Sequence, residues 1–360
     1  MRVDVIMGTR PGIVKMAPVY HAFSHESGFE VNIVYTGQHY SETLKENIWA
    51  AFDLPAPRSQ IDGIANATSH CKQIAEMMVG CEKAFEQNKT DLVLVCGDAN
   101  TNLAAALAAR KLDLKLGHVE SGLRSRDWRM PEEHNRVMID HISDYLFSPT
   151  SLTSENLRAE NVQGKILECG NTVVDALFFV KNKLDKSSVP GNLPPYVVFT
   201  AHRQENVDNV KILRDLCEVV VRTSERIKVI FPVHPRTLKM LKRYNFISLI
   251  SNRDNISIVE PLPYFEMLGL LINARCVLTD SGGLQEESCI LGVPCITLRE
   301  NTERPETVNV GANVIGGTDP DVVLNILEKR LSANKHESWD NPFGQGDTSK
   351  KIVEFMSESK

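Results

Sequence analysis

The chain has 360 residues and a formal net charge of −6 at pH 7. This length exceeds what one hydrophobic core usually holds and predicts two domains, while the acidic balance gives no bulk attraction for nucleic acid or an anionic membrane. No apolar run is long enough to span a membrane, and residues 1–7 have a strand pattern rather than that of a signal peptide, so we expect a cytoplasmic protein.

The first predicted strand, residues 3–7, breaks at a glycine-containing turn and leads into a predicted helix over residues 13–24. Arg10 and Lys15 lie about one helical turn apart at this junction. They are either contacts for a phosphate or nucleotide, or ordinary solvated charges. No G-x-G-x-x-G pattern follows the strand, which disfavours a dinucleotide, and we expect no cofactor. A second strand is predicted over residues 29–35.

Residues 91–96 form a continuous apolar run, typical of a strand that is buried on both faces of a parallel sheet. The run ends at Asp98, which therefore lies at the carboxyl end of a strand, where open α/β sheets bind their ligands. Asp98 could equally be the N-cap of the alanine-rich helix that follows. The next predicted strand, residues 114–119, leads to Glu120.

Pro131 opens a helix with Glu132 and Glu133 in its first turn, a pattern that pairing with the helix dipole also explains. Asp98, Glu120 and Glu132 are nonetheless expected to approach one edge of the first sheet. Neighbouring carboxylates raise some of one another's pKa values, which is how a general acid and a general base are produced from the same residue type.

The second half of the chain repeats the alternation of strand and helix. The strand predicted over residues 196–200 ends near His202, a helix is predicted over residues 207–226, and the strand at residues 228–231 ends near His234. Each histidine alone would be unremarkable in a solvated loop. Together they are expected to line one edge of a second sheet.

A strand over residues 276–279 is followed by Ser281, by Gly282 and Gly283, and then by a helix. A strand that breaks at paired glycines into a helix presents backbone N–H groups without obstruction by side chains, which favours an anion such as phosphate. An ordinary strand-to-helix turn is the alternative. A carboxylate in the following turn, as at Glu287, suits a ribose diol, so the predicted ligand is a nucleotide.

The eight cysteines form no C-x-x-C pair and lie mostly in apolar segments, so we expect buried, reduced thiols and no metal site. The alternation of elements predicts the α/β class, with two Rossmann-like domains facing across a cleft. The predicted domains are residues 1–170 and residues 171–345, with a terminal helix in residues 346–360 near the domain junction. The lysine-rich and proline-bearing residues 181–195 are the predicted connection.

Seven short motifs, in this order along the whole chain, identify a family resemblance. The chain resembles the non-hydrolysing UDP-N-acetylglucosamine 2-epimerases, whose fold is similar to that of GT-B glycosyltransferases. The motifs are Gly8-Thr9-Arg10-Pro11, Cys96-Gly97-Asp98, His118 to Arg124, Pro131 to Arg136, Ala201 to Asn206, Asp280 to Glu287, and Glu303-Arg304-Pro305-Glu306.

The resemblance implies residue roles and a reaction. The implied catalytic set is Asp98, Glu120, Glu132 and His202. The implied UDP contacts are Arg10, Ser281, Gly282, Gly283 and Glu287, with Lys15, Arg136 and His234 as further binding candidates. Family chemistry eliminates UDP across C1 and C2, leaving 2-acetamidoglucal, and adds it back with inverted C2, which gives UDP-N-acetylmannosamine. The family also implies a homodimer.

Two segments depart from the family pattern. Residues 38–43 differ from the run at which a second substrate molecule activates many bacterial members, so the resemblance does not extend to activation by substrate. In the loop at residues 125–130, Arg126 and Arg129 could contact the carboxylate of UDP-2,3-diacetamido-glucuronic acid or could be solvated charges. Three competing functions are a hydrolysing epimerase that releases N-acetylmannosamine, a glycosyltransferase and a non-catalytic UDP-sugar sensor.

Overall fold

The computed structural model describes residues 1–37, 48–61, 69–181, 183, 193–332 and 339–359. The chain forms two compact units, one of Met1–Asn182 with Phe343–Lys360 and the other of Lys183–Pro342. The predicted α/β class with two Rossmann-like domains is confirmed, because each unit contains one all-parallel sheet with helices between its strands.

The first unit contains a seven-stranded sheet in the order β3-β2-β1-β4-β5-β6-β7. Its strands are β1 (Arg2–Met7), β2 (Glu30–Tyr35), β3 (Ser59–Gln60), β4 (Leu92–Cys96), β5 (Lys115–Val119), β6 (Tyr145–Ser148) and β7 (Lys165–Glu168). Every residue of β4 is buried, as its continuous apolar run predicts, because this strand lies in the middle of the sheet with helices on both faces.

The helices of the first unit connect these strands, and the last of them returns from the end of the chain. They are α1 (Arg10–His25), α2 (His70–Asn88), α3 (Asn100–Lys111), α4 (Pro131–Ile142), α5 (Ser151–Ala159), α6 (Thr172–Lys181) and α15 (Thr348–Glu358). The alanine-rich α3 packs closely against α2 and α4, since its small side chains let the helices approach.

The second unit contains a six-stranded sheet in the order β10-β9-β8-β11-β12-β13. Its strands are β8 (Tyr196–Thr200), β9 (Lys228–Pro232), β10 (Ile256–Val259), β11 (Val277–Thr279), β12 (Cys295–Thr297) and β13 (Asn313–Ile315). Its helices are α7 (Gln204–Val207), α8 (Val210–Ser224), α9 (Pro235–Arg243), α10 (Ile247–Ser251), α11 (Tyr264–Asn273), α12 (Gly282–Leu291), α13 (Pro305–Asn309) and α14 (Pro320–Ser332).

The helix predicted over residues 207–226 is α8, which begins at Val210, whereas Val207 ends the short preceding helix α7. Asn209 lies between the two helices, and its side chain accepts hydrogen bonds from the backbone N–H groups of Lys211 (3.0 Å) and Ile212 (3.3 Å). Asparagine is a favoured N-cap because it satisfies donors that have no partner within the helix, so it starts a new helix here.

The units divide at residues 182/183 and 342/343, whereas the predicted domains divide at 170/171 and 345/346. The difference arises because α6 packs against α1 and α15 within the first unit. Asp175 of α6 is buried, and its Oδ1 accepts a hydrogen bond from the backbone N–H of Ser349 at 2.8 Å. Burial exceeds the opposing effect of this bond and raises the pKa of Asp175.

Neither a membrane-spanning helix nor a cluster of metal-ligating side chains occurs within the described ranges.

We predict that Asp175→Asn increases the stability of α15 relative to the native chain as the pH rises. The raised pKa means that the folded chain holds this proton to a higher pH than the unfolded chain. The proton on Asp175 therefore stabilises the native chain most below the unfolded pKa of about 3.9. This stabilisation is lost as the pH rises through the folded pKa of Asp175. Amide hydrogen exchange of residues 348–358, corrected for the intrinsic rate, measures the difference.

Asp347→Asn is the matched control at the same helix end. Asp347 is half-exposed and pairs with Lys351 at 3.0 Å, so its replacement should change stability by less than about 0.5 kcal/mol. An Asp175→Asn chain with weaker protection of α15 at every pH would contradict the assignment.

Candidate active site

The predicted site residues divide between the two units. Arg10, Lys15, Asp98, Glu120, Glu132 and Arg136 belong to the first unit, whereas His202, His234, Ser281, Gly282, Gly283 and Glu287 belong to the second. Their roles stay predictions. Their positions and partners within each unit define what each side chain can do.

Adjacent parallel strands bring Asp98 and Glu120 to the same edge of the first sheet. The strands β4 and β5 are paired with Cys96 opposite Val119, so the residues that follow them emerge side by side. The helix α3 starts at Asn100 with Ala99 as its N-cap and no side-chain cap bond. Asp98 is therefore not the N-cap, and that alternative interpretation is wrong.

Glu120 has an unusual backbone conformation, with φ at +66°. A residue other than glycine in this left-handed region is strained by roughly 1–2 kcal/mol. Its buried carboxylate forms an ion pair with the Nζ of Lys15, which is also buried. A Cβ at Gly97 would lie 2.9 Å from Oε2 of Glu120, so only glycine at position 97 lets the carboxylate approach the backbone so closely.

Asp98 forms an ion pair with Arg136 of α4, whose NH2 lies 2.5 Å from Oδ2. The neighbouring Asn135 donates from Nδ2 to the backbone carbonyl of Asp98 at 2.8 Å. Arg136 and Lys15, which were predicted as substrate contacts, thus each hold one of the predicted catalytic carboxylates. Glu132 is half-buried one helical turn before Arg136, on the same face of α4.

Glu133 organises the loop at residues 125–130. It is 2% exposed, and its carboxylate accepts from the backbone N–H groups of Ser125 (2.9 Å) and Arg126 (2.8 Å) and from NH1 of Arg136 (2.8 Å). Burial raises the pKa of Glu133, but these donors outweigh it and the net shift is downward. Glu133 therefore connects the loop, through Arg136, to Asp98.

The loop arginines that could have met a substrate carboxylate have partners within the chain. The guanidinium of Arg129 forms a two-point contact with Asp127, with Nε 2.8 Å from Oδ1 and NH2 2.7 Å from Oδ2. Arg126 donates from NH2 to the amide oxygen of Asn156 at 3.1 Å. The departure at residues 38–43 lies outside the described residues.

In the second unit, the fully buried Asp280 holds the turn after β8. Its carboxylate accepts from the backbone N–H groups of His202 and Arg203, each at 2.9 Å, and from Nδ2 of Asn206 at 3.0 Å. Burial lowers the pKa of His202, exceeding the attraction of Asp280, so its imidazole is neutral at pH 7. The ring of His234 lies 5.5 Å from that of His202.

His234 itself is the N-cap of α9, where its Nδ1 accepts from the backbone N–H of Arg236 at 3.2 Å. This contact fixes its ring at the carboxyl end of β9. The imidazole of His202, one strand away, shares that edge of the sheet.

The predicted helix follows the two glycines, whereas α12 includes them as its first two residues, with Ser281 as the N-cap residue. A Cβ at Gly282 would have no neighbour closer than 3.8 Å, and one at Gly283 none closer than 3.9 Å. The protein's own packing therefore does not require glycine at either position. Close approach of another molecule to the backbone N–H groups of the first turn is a sufficient reason for both.

A buried network of ions lies beside this turn. The buried Glu286 accepts from Nε of Arg304 at 2.5 Å, so this carboxylate is held by an ion pair within the protein. Burial raises the pKa of Glu303, but Arg299, 2.8 Å away, and other arginines outweigh it and hold the pKa at about 2. Glu287 is half-buried one turn after Gly283 on the same face of α12.

Three supporting carboxylates were missed as site residues: Glu133, Asp140 and Asp280. Glu133 was interpreted only as a helix-dipole residue, and Asp280 only as part of a motif. Asp140 carried no motif signal. Their partners lie up to 78 residues away along the chain, so spacing gave no indication of these contacts.

Comparisons with known proteins identify the family. The profile of the UDP-N-acetylglucosamine 2-epimerase family matches residues 21–357. The chain is 44% identical to a UDP-N-acetylglucosamine 2-epimerase of Methanococcus maripaludis, over 100% of this chain and 99% of that one. It is 33% identical to the UDP-2,3-diacetamido-2,3-dideoxy-D-glucuronate 2-epimerase of Pseudomonas aeruginosa, over 99% of this chain and 100% of that one.

Comparison with solved structures leads to the same family. The UDP-GlcNAc 2-epimerase of Methanocaldococcus jannaschii, crystallised with UDP-GlcNAc and UDP, has a TM-score of 0.91 and 40% identity, covering 99% of this chain and 100% of that one. The glycosyltransferase VinC, in complex with dTDP, has a TM-score of 0.52 at 16% identity, covering 98% of this chain and 94% of that one. This last likeness concerns the fold alone, which is GT-B-like.

We predict that the neighbours Glu132 and Glu133 differ sharply in their effect on local stability. Glu133→Gln weakens charge-assisted bonds to two backbone amides and Arg136, so it should destabilise the loop by about 1–3 kcal/mol. Glu132→Gln, in the same helical turn, should change stability by less than about 0.5 kcal/mol. Amide hydrogen exchange of residues 125–130 measures both. Equal protection in the two variants would show that Glu133 does not anchor the loop.

Proposed function

We propose that this chain, which belongs to the UDP-N-acetylglucosamine 2-epimerase family, inverts the configuration at C2 of UDP-N-acetylglucosamine to give UDP-N-acetylmannosamine. It is an isomerase. Full-length identity of 44% to an epimerase of that name is the observation that carries the proposal. The pairing of β4 with β5 supports it, because Asp98 and Glu120 follow the ends of these adjacent strands.

The proposed chemistry starts from a C2 proton that is barely acidic, because no carbonyl group is adjacent. Its removal therefore requires the bond between C1 and the diphosphate oxygen to break before or together with proton transfer. The products of this step are UDP and 2-acetamidoglucal. Return of a proton to the opposite face of C2, with re-addition of UDP at C1, completes the inversion with no net gain or loss of atoms.

Asp98 and Glu120 are the proposed acid–base pair. One carboxylate accepts the C2 proton and another returns a proton to the opposite face, each contributing typically about 10²–10⁴-fold. Arg136 and Lys15 hold these two groups in fixed positions, which favours proton transfer along a defined path. Glu132 and the neutral imidazole of His202 are proposed to adjust the charge at the sugar and at the leaving group.

The glycine turn is the proposed diphosphate contact. Backbone N–H groups at the start of α12 are positioned to stabilise negative charge as it develops on the leaving UDP. Ser281 and the side chain of Arg10, in the first turn of α1, are proposed to supply further contacts. Glu287 is proposed to bind the ribose hydroxyls.

The acidic sugar nucleotide is the weaker alternative substrate. Arg129 is already paired with Asp127 and Arg126 with Asn156, which supports an uncharged sugar at this loop. Retention of UDP on the product, the cytoplasmic location and the homodimer are proposals on the family resemblance alone.

Proton NMR of the wild-type chain with UDP-N-acetylglucosamine in D₂O tests the function. The expected product is UDP-N-acetylmannosamine with deuterium at C2. Free N-acetylmannosamine together with UDP would instead assign a hydrolysing enzyme. If the spectrum does not change, the substrate assignment is wrong, and UDP-2,3-diacetamido-glucuronic acid is tested next.

We predict that Asp98→Asn lowers kcat by about 10²–10⁴-fold with little change in KM, because the amide cannot exchange the proton. Asp91→Asn is the matched control. Asp91 precedes the same strand at its opposite end, where its carboxylate accepts from the backbone N–H of Arg2 at 2.6 Å, so kcat should stay within about twofold. A fully active Asp98→Asn chain would remove Asp98 from the acid–base pair.

We predict that Gly282→Ala weakens UDP binding at least about tenfold without loss of stability. The added methyl group meets no protein atom within 3.8 Å but obstructs the approach of a diphosphate to the backbone. Gly292→Ala, at the other end of α12, is the control. Its φ of +73° makes alanine destabilising by about 1 kcal/mol, while UDP binding should persist. Titration calorimetry and thermal unfolding separate the two effects.

A further inference from the structure

Asp140 of α4 has a fully buried carboxylate to which the proposed reaction assigns no step. Its Oδ1 lies 2.6 Å from Nδ1 of His118, and its Oδ2 accepts from the backbone N–H of Gly122 at 3.1 Å. NH1 of Arg124 lies 2.7 Å from the same Oδ2. Asp140 thus contacts residues on both sides of Glu120.

The turn that Asp140 contacts has a strained backbone. Glu120 has φ at +66°, and Gly122 has φ at +82° with no room for a side chain, since a Cβ there would lie 2.3 Å from the carbonyl oxygen of Thr153. A strained backbone persists only where its surroundings determine it, and the two contacts from Asp140 supply such a constraint.

The same carboxylate also reaches the strand that carries Asp98. Nε2 of His118 lies 3.1 Å from the carbonyl oxygen of Gly97, the peptide group that connects Gly97 to Asp98. The imidazole of His118 is fully buried between this carbonyl and the carboxylate of Asp140. One chain of contacts therefore extends from Asp140 to the backbone at both predicted acid–base residues.

Asp140 is the acceptor in its contact with His118. Burial raises the pKa of Asp140, but the attraction of His118 and Arg124 outweighs it and lowers the pKa below its ordinary value. An ionised carboxylate can only accept, so Nδ1 of His118 is the donor in this contact.

Other charges around this cluster are compensated. Arg124 forms a two-point contact with Glu160, at 2.8 Å from Nε to Oε1 and 2.6 Å from NH2 to Oε2. The carboxylates of Asp140 and Glu160 thus both pair with Arg124. Arg124 compensates the buried charge of Asp140 beside the turn that carries Glu120.

We propose that Asp140 is a positioning residue for the epimerisation, acting through His118 and Gly122 to fix Glu120 and the Gly97–Asp98 peptide group in register with each other. This inference rests on the proposed function. Asp140 is buried behind the turn and contacts the backbone, so it acts on the reaction only through these groups. Misplacement of either carboxylate by about 1 Å would lower the rate by up to about 10²-fold.

The test compares Asp140→Asn with Glu160→Gln. The first variant weakens the contacts to His118 and Gly122, whereas the second weakens only the outer contact of Arg124. We expect Asp140→Asn to lower kcat by about 10- to 100-fold with KM within about threefold, while Glu160→Gln keeps kcat within about twofold. A folded Asp140→Asn chain with kcat within threefold of the native value would overturn the proposal.

Nitrogen-15 NMR of His118 in the native chain provides a second readout that needs neither a variant nor activity. A protonated Nδ1 that donates to Asp140 is expected. A native ring with an unprotonated Nδ1 would overturn the proposal even if Asp140→Asn did not fold. A native chain inactive on UDP-N-acetylglucosamine would instead refute the proposed function, and the ring spectrum would still test the contact geometry.

Discussion

In each unit, a fully buried aspartate holds a turn that contains a predicted catalytic residue. Asp140 contacts His118 and Gly122 around Glu120, and Asp280 accepts from the backbone N–H groups of His202 and its neighbour. A buried carboxylate is strongly unfavourable unless donors surround it. Because these donors belong to the turns themselves, a turn cannot change shape without leaving a charge unpaired. Fixed turns suit the epimerisation that family membership supports, in which a weakly acidic proton must meet its base in one geometry.

The pairing of the strands and the side chains beside their ends thus contribute differently to the site. The parallel pairing of β4 with β5 determines which residues emerge together, and it does so through backbone hydrogen bonds alone. Lys15 and Arg136 then hold the two carboxylates in place. The glycine turn of α12 differs in kind, because no side chain of its own fills the space beside it. Carboxylates in fixed positions suit proton transfer, and an accessible backbone surface suits a nucleotide that leaves and returns.

Much of this arrangement could be predicted from local sequence. Continuous apolar runs identified β4 and its neighbours, and the paired glycines identified the start of α12, since both signals are contained within a few residues. The two-residue strand β3, Ser59–Gln60, was not predicted because it contains no apolar residue, and β13 was not predicted either. Arg136 was expected to face substrate but pairs with Asp98, 38 positions away. Ion pairs between distant residues depend on packing, which spacing does not encode.

The most direct test of elimination and re-addition follows one oxygen atom. UDP-N-acetylglucosamine carrying ¹⁸O in the bond between C1 and the β-phosphate is incubated with the enzyme, and phosphorus-31 NMR locates the label. If that bond breaks, the freed phosphate group rotates and the label moves into non-bridging positions of the β-phosphate, as our account predicts. A label that stays in the bridge while C2 inverts would contradict it.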